Sequence, residues 1–521
     1  MNLKPKIFFS VILITNLFFI FYYQSFIYKA FFSSDAAIAN ILAQEIINQG
    51  SYYPNSWWYV NGDIWTVFKH TLAIPLNLLG FGAYDVHTIV VISFFAFSLC
   101  VTYLYLKKIG TDTIGILVAF IGISTLYSPM YAREVFGESA YIWYYTAIIS
   151  YLYFFYILSQ EKEKEKKIWI AGLFVIILTI GLFAENPSRF AIYFIAALFV
   201  PLFLLYQYIN IKYKKIALYF TLGILLGLAY RYSILGHIQM QIGVEKTFLI
   251  SYDELPTHIW RSFIGLVNLY GGDWGERTAF ASFNGIAYML KSLLFPVAFF
   301  APLFYAIKRR ESLNPFEIYT IGIGYIAFFI VFGIYCITSL HFNGLYAAKE
   351  NIRYIIPFVL MISIANGIVW KFFSKRVKFL LILSILLSYI SISNTLQREI
   401  SQKEIENREE VIQTLLQNGL TKGYAPYWHS HIFTVLSDNK IEIRPIEDEN
   451  NKREAGKWLT SSNWYDKTYI DKNSFILIPK EKIKEFEKAS KEYNSTEATK
   501  KIELNRYNVY IFDQNPINNK K

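Results

Sequence analysis

Residues 168–183, "IWIAGLFVIILTIGLF", contain no charged side chain. A chain segment of this kind has few fates. As a helix it rises about 1.5 Å per residue, so about 20 apolar residues cross a hydrocarbon core roughly 30 Å thick. Similar runs recur, bounded by charges or turn residues. They predict about eleven transmembrane helices, near 7–24, 86–106, 112–128, 140–159, 168–184, 189–208, 214–235, 285–307, 316–340, 352–372 and 377–394. Charged residues make up only 17% of the chain, below the roughly 25% of soluble domains. The fold class expected is an α-helical polytopic membrane protein. The stretch 64–82, "IWTVFKHTLAIPLNLLGFG", holds Lys69, His70 and Pro75 and suits an interfacial helix better than a span.

Basic loops test this topology. With "NLKPK" cytoplasmic, the clusters at 107–108, 161–167, 212–215, 308–310 and 371–378 all fall on one side, as the positive-inside rule requires. Counting 64–82 as a span breaks that agreement. The opening "MNLKPKIFFSVILITNLFFIFYY" is basic, then apolar, without a small-x-small cleavage site, and reads as an uncleaved first span. The expected location is a bacterial inner membrane, N-terminus cytoplasmic. Cys100 and Cys336 fall in different spans toward opposite faces and are expected to be unpaired.

The opposite side receives the long loops 32–85 and 236–284 and everything after Thr395. Long loops commonly carry function. From Thr395 onward, 21 Lys/Arg face 20 Asp/Glu. This near-neutral segment argues against a nucleic-acid partner and leaves nearly all of the net charge of +11 to the membrane part. "KGYAPYW", "HIFTVLSDN" and "KIEIRPI" predict strand, helix and strand. "SFILIPK", "EKIKEFEKASKEY" and "KKIELNRYNVYIF" extend them. The expected domains are a transmembrane domain over 1–394, with 32–85 as its first external loop, and a soluble α/β domain over 395–521.

No Walker loop, dinucleotide fingerprint, zinc spacing or G-x-S-x-G elbow is present. His429 and His431 in "YWHSH" lack a neighbouring ligand and read as a helix start. After the first span, "SSDAAIANILAQEIINQGSYYP" has helical composition ending at Gly50. Ser34 or Asp35 would cap it as an amphipathic helix in the interface. Locally the cap is favoured. In "YYPNSWWYVNGD", Asp63 reads as part of an "NGD" turn before it reads as a second acid. Trp57, Trp58 and Tyr59 suit an interfacial aromatic belt, with stacking on a sugar the alternative.

An acid after the first span, interfacial helices, and then "YAREVFGESAYIW", "FAENPSRFAIYF" and "KENIRYIIPF" at outer span ends form a pattern. It resembles the GT-C superfamily of integral-membrane glycosyltransferases over most of residues 1–372, including an "RYxxP" element at Arg353. A GT-C-like fold with a C-terminal outer domain follows from this. The resemblance implies sugar transfer from a polyprenyl-phosphate donor to a cell-envelope glycan, lipid or protein acceptor, by inversion, with Asp35 as base. Placing the first loop on the outer face moves Asp35 from cap toward catalysis; Ser34 can cap while Asp35 faces a cavity.

Arginine holds oxyanions in pairs and stays charged when desolvated. Arg133, Arg189, Arg353 and Lys349 are therefore the candidate phosphate ligands, with snorkelling to headgroups as the alternative for each. Glu134, Glu138, Glu185, His341, Trp58 and Asp63 are candidate sugar or acceptor contacts. For Glu134, beside Arg133, a structural ion pair is an equal alternative. A helix near 256–270, with Trp260 and Arg261, is a candidate lid or acceptor-binding element. No metal or other cofactor is expected, since superfamily members using monophosphate donors generally resemble metal-free enzymes. The rival classes are an O-antigen polymerase or ligase, which usually lacks the early acidic loop and outer domain, and a lipid-linked sugar transporter or flippase, which would place charges mid-span.

Overall fold

A computed structural model of the chain describes residues 3–517, apart from 161–162, 210, 242–247, 273–278, 280, 340–343, 448–453, 467–468, 470–472 and 493–496. Ten described helices are long and apolar enough to cross a membrane, from Lys4–Phe31 to the apolar first half of Lys375–Gln417. Counting one bent pair as a span makes eleven. The chain is a multi-pass membrane protein. Residues 64–82 yield only the 10-residue helix Lys69–Leu78, too short to cross.

The bent pair departs from the expected span 112–128. Thr113–Ser124 is 12 residues long, about 18 Å at the helical rise. The chain then breaks and resumes as Pro129–Gly137, turned by 96°. Pro129 has no N–H to continue the ladder, and Ser128 caps the new start by accepting from Tyr131 N at 3.1 Å. The broken end keeps its hydrogen bonds. Asn16 Nδ2 donates to Ser124 Oγ at 3.0 Å and Thr125 Oγ1 at 3.1 Å, and Lys291 Nζ donates to Tyr127 O at 2.8 Å. In an apolar medium such polar groups must be satisfied internally.

The chain divides into two compact units. The first comprises residues 1–26, 92–228 and 245–397. Its centre is helix Ile356–Val369, buried along nearly its whole length against Thr113–Ser124. Small residues permit that approach. A Cβ on Gly115 would lie 2.5 Å from Gly367 O, and one on Gly122 would lie 2.9 Å from Ser363 Cβ. Close backbone packing of this kind is how helices associate where lipid removes the hydrophobic incentive.

The second unit comprises residues 27–91, 229–244 and 398–521. It contains strands β1 (Trp57–Val60), β2 (Gln239–Gln241), β3 (Lys422–Pro426), β4 (Glu442–Ile446), β5 (Thr460–Ser461), β6 (Ser474–Pro479), β7 (Lys500–Glu503) and β8 (Tyr507–Phe512). One sheet has the order β4-β3-β6-β8-β7. β3 is parallel to β4 and β6, joined to β4 through the short helix His431–Leu436, and β6-β8-β7 is antiparallel. The stretch "KKIELNRYNVYIF" forms the hairpin β7–β8. Helix Arg398–Gln417 packs Val411 and Leu415 into a core with Phe433, Ile443, Phe475 and Val509.

A second sheet, β2-β1-β5, corrects the expected aromatic belt. Trp57, Trp58 and Tyr59 form its central strand and are buried; Trp57 is fully covered and meets the Trp464 ring edge-on at 5.7 Å. Aromatic and β-branched side chains such as those of Trp57–Val60 suit a pleated sheet as well as a belt. The first-loop helix is corrected as well. Ser34–Gln49 ends at Gly50 in the left-handed region, as expected, but its residues from Ala36 to Ala43 are buried without a polar stripe. A helix covered on all sides over this stretch, where Asn40 is the one polar residue, is a core helix and not an interfacial one.

Candidate active site

Three of the motifs singled out in the sequence share one local construction in the first unit. "SPMYARE", "ENPSR" and "NIRYIIP" each place a proline in the first turn of a helix, where its missing N–H costs nothing. Ser128 and Asn186 cap the first two. The third sets Arg353 on the tight turn Ile352–Ile355, just ahead of Pro357. Abrupt helix starts deliver charged side chains at the interruption rather than along an apolar face.

Two of these starts meet. Arg133 donates through Nε and Nη2 to Glu134 Oε1, at 3.2 and 3.0 Å. Its Nη2 also pairs with Glu350 Oε2. Arg353 Nη1 lies 3.9 Å from the same Glu134 oxygen. Glu134 is fully buried, whereas the Arg133, Glu350 and Arg353 side chains remain 28–29% exposed. The Glu138 charge also acts on both arginines. Among the described residues, Glu134 Oε2 and Arg353 Nε find no hydrogen-bond partner. The group is ordered yet incompletely satisfied.

Aromatic rings wall the cluster. The Arg353 guanidinium lies 5.8 Å from the Tyr354 ring centre, and Tyr141 meets Tyr354 edge-on at 6.0 Å. Tyr193 OH donates to Tyr354 O at 2.9 Å. Arg189, on Pro187–Phe190, reaches this neighbourhood too, since its charge acts on Tyr193 as that of Arg353 does. Lys349 sits beside Glu350 on helix Gly344–Asn351. Glu185 is buried at the end of Glu165–Glu185. His341 lies outside the described residues. Helix Leu255–Leu269, the candidate lid, packs on Gly344–Asn351, with Trp260 half exposed.

In the second unit, Asp35 is not the helix cap, and neither is Ser34. Ser33 holds that place, its Oγ accepting from Ala36 N at 3.1 Å. Ser34 Oγ instead donates to Tyr427 O at 2.6 Å. The half-buried Asp35 carboxylate accepts from Tyr427 OH, also at 2.6 Å. Ser33 has the extended backbone of a cap residue, which frees Asp35 in the first turn to point elsewhere. Acid at a helix N-terminus is electrostatically favoured in its ionised form.

The remaining candidates of this unit have structural surroundings. Asp63 N closes a turn on Val60 O at 2.9 Å, with Asn61 and Gly62 both at positive φ. Trp58 is 8% exposed and packs on Tyr465. His431 opens its helix wholly buried, and burial, then Arg444, holds its pKa well below the ordinary range. His429 Nδ1 instead lies 3.0 Å from Tyr507 OH. Among the described residues no three His, Cys, Asp or Glu side chains gather as a metal site would need. Sequence inspection missed Glu350 and Tyr427. Glu350 stood inside a quoted motif, "KENIR", whereas nothing in "YAPYW" marks a partner for an acid 392 residues earlier.

With this geometry in place, the fold can be compared with solved structures. It is similar to the fold of the solved ArnT structures. ArnT from Cupriavidus metallidurans bound to undecaprenyl phosphate superimposes with a TM-score of 0.55 at 8% identity, covering 97% of this chain and 97% of that one. The same protein in the apo state gives 0.53 at 8% identity, over 96% and 97%. At such identity the likeness is one of fold. No protein-family model and no curated protein sequence matches the chain.

Proposed function

We propose that this protein is a membrane glycosyltransferase that moves a sugar from a polyprenyl-phosphate-linked donor to a glycan, lipid or protein acceptor of the cell envelope. The observation that carries the proposal is the placement of Asp35. It follows the first span, is relieved of capping by Ser33, and accepts a hydrogen bond from the Tyr427 hydroxyl. The fold likeness to ArnT, whose structure holds undecaprenyl phosphate, supports the donor class.

In the proposed reaction Asp35 takes the acceptor hydroxyl proton as the oxygen attacks the anomeric carbon. The carbon–oxygen bond to phosphate breaks, and the phosphate leaves with the electron pair, so configuration inverts. Arg133 and Arg353, with Arg189 and Lys349 in support, stabilise the phosphate charge. Glu134, Glu138 and Glu185 remain candidates for holding those cations or sugar hydroxyls. The protein is placed in the inner membrane with its first loop and C-terminal residues on the outer side, as the common side of the basic loops supports.

The test is transfer from labelled polyprenyl-phosphate sugars to lipid-linked acceptors by purified protein. Asp35→Asn is expected to lose transfer at least 100-fold, the order of general-base catalysis, while keeping its thermal stability. Full activity in a folded variant would remove Asp35 from the chemistry. Sidedness is read separately from a maleimide label at Asn463→Cys in a background lacking Cys100 and Cys336.

A further inference from the structure

The Arg133 guanidinium is already engaged by two carboxylates, those of Glu134 and Glu350. Counted as ionised, Arg133 and Arg353 face Glu134, Glu138 and Glu350. An entering phosphate would meet cations already answered and add one more negative charge. Like charges brought together at low dielectric are strongly unfavourable. An anion that reaches Arg133 Nη2 therefore competes with the carboxylate already bound there.

The three carboxylates are not equally able to give way. Glu134 is fully buried and adjacent in sequence to Arg133, from which it accepts two hydrogen bonds. Glu138 follows on the same helical turn, its N–H bound to Arg133 O. Glu350 comes from a different element, the helix Gly344–Asn351, and its side chain is 28% exposed. It touches Arg133 through Nη2, an edge that a phosphate oxygen also fits. The unpartnered Arg353 Nε offers the anion a second donor.

Resting on the donor-phosphate reading above, we propose that Glu350 is an internal stand-in for the donor phosphate. Its carboxylate occupies Arg133 in the empty protein and is displaced when the anion binds. Three consequences follow. Arg133 stays oriented without substrate. The empty site discriminates against weak anions, which must compete with a tethered carboxylate. Departure of Glu350 also changes the environment of helix Gly344–Asn351, which carries Lys349.

Undecaprenyl phosphate binding to the full chain in zwitterionic nanodiscs tests this, with inorganic phosphate and phosphatidylglycerol as parallel probes. Glu350→Gln keeps the shape and removes the competing charge. It is expected to tighten undecaprenyl phosphate binding about fivefold and to raise affinity for inorganic phosphate in proportion, with Glu350→Asp close to wild type. Arg133→Gln is expected to weaken binding about tenfold or more. Unchanged or weaker binding in Glu350→Gln, while Arg133→Gln still loses affinity, overturns the stand-in and makes Glu350 a strut for Arg133. No loss in either Arg133→Gln or Arg353→Gln overturns the phosphate reading itself, and the inference with it. Tightening toward phosphatidylglycerol alone would reassign the cluster to bulk lipid headgroups and also overturn the proposal. Thermal unfolding of each variant confirms that the protein compared is folded.

Discussion

The hydroxyl of Tyr427 donates to Oδ1 of Asp35 at 2.6 Å, joining the first loop to the tight turn Tyr427–His429 that follows β3 in the second unit. A donor aimed at a carboxylate favours its ionised form and fixes its orientation. The partnership is double, because Ser34 Oγ holds the Tyr427 carbonyl. Tyr427→Phe keeps the ring and that backbone contact and removes only the hydroxyl. Its expected signature is an acid limb of the transfer rate moved to higher pH, with less effect at high pH. An unshifted acid limb with uniformly lower activity would show that Tyr427 only packs.

That relationship marks the limit of what the sequence discloses. Spans were legible because burial in lipid demands long apolar runs, and nothing else in a sequence imitates "IWIAGLFVIILTIGLF". The broken span at Thr125–Ser128 left weaker traces, "SP" after an apolar stretch, which a hydropathy window averages away. Arg133, Glu134 and Arg353 were legible as charges at span ends, and their meeting needed no more than neighbouring helix starts. The Trp57–Val60 strand was not legible, because its partners Gln239–Gln241 and Thr460–Ser461 lie far away in sequence. Short strands with distant partners carry no local period to read.

Removing Glu134 and removing Glu350 are expected to cost different amounts of stability. Glu134→Gln withdraws a fully buried carboxylate from two guanidinium groups, and breaking a buried pair costs about 3 kcal/mol or more. Glu350→Gln opens a pair 28% exposed on both sides, for which about 1 kcal/mol or less is expected. Thermal unfolding in nanodiscs ranks the two directly. The reverse order would make Glu350 the principal counter-charge of Arg133.

Two buried histidines predict how stability depends on pH. Burial against Tyr52 and Trp65 pushes the His70 pKa down to about 3, and burial holds His431 well below its usual range. An unfolded histidine titrates near 6.5. The unfolded chain therefore takes up protons that the folded one refuses, and stability present above about pH 6.5 is lost as pH falls. Each histidine contributes a slope of about 1.4 kcal/mol per pH unit until its folded pKa is reached. His431→Phe replaces a ring whose two nitrogens lack partners among the described residues. It is expected to leave stability at pH 7.5 nearly unchanged and to lessen its loss by pH 5.5. Identical losses in wild type and variant would mean that His431 is protonated in the folded protein.

Gly265 ties the candidate lid helix to the site through packing alone. A Cβ at this position would lie 2.9 Å from Ala348 O, in the helix that carries Lys349 and Glu350. That carbonyl cannot retreat freely, because it also accepts from Tyr335 OH at 2.6 Å. Gly265→Ala must therefore move one helix against the other, at about 1–3 kcal/mol of overpacking. Displacement of Gly344–Asn351 would loosen Glu350 from Arg133, whereas displacement of Leu255–Leu269 would leave the cluster intact. The two are separable by combining the substitution with Glu350→Gln and measuring undecaprenyl phosphate affinity. If Gly265→Ala acts by loosening Glu350, it tightens binding in the wild-type background and has no further effect in the double variant. Additive changes would place the movement in Leu255–Leu269, away from the charged cluster.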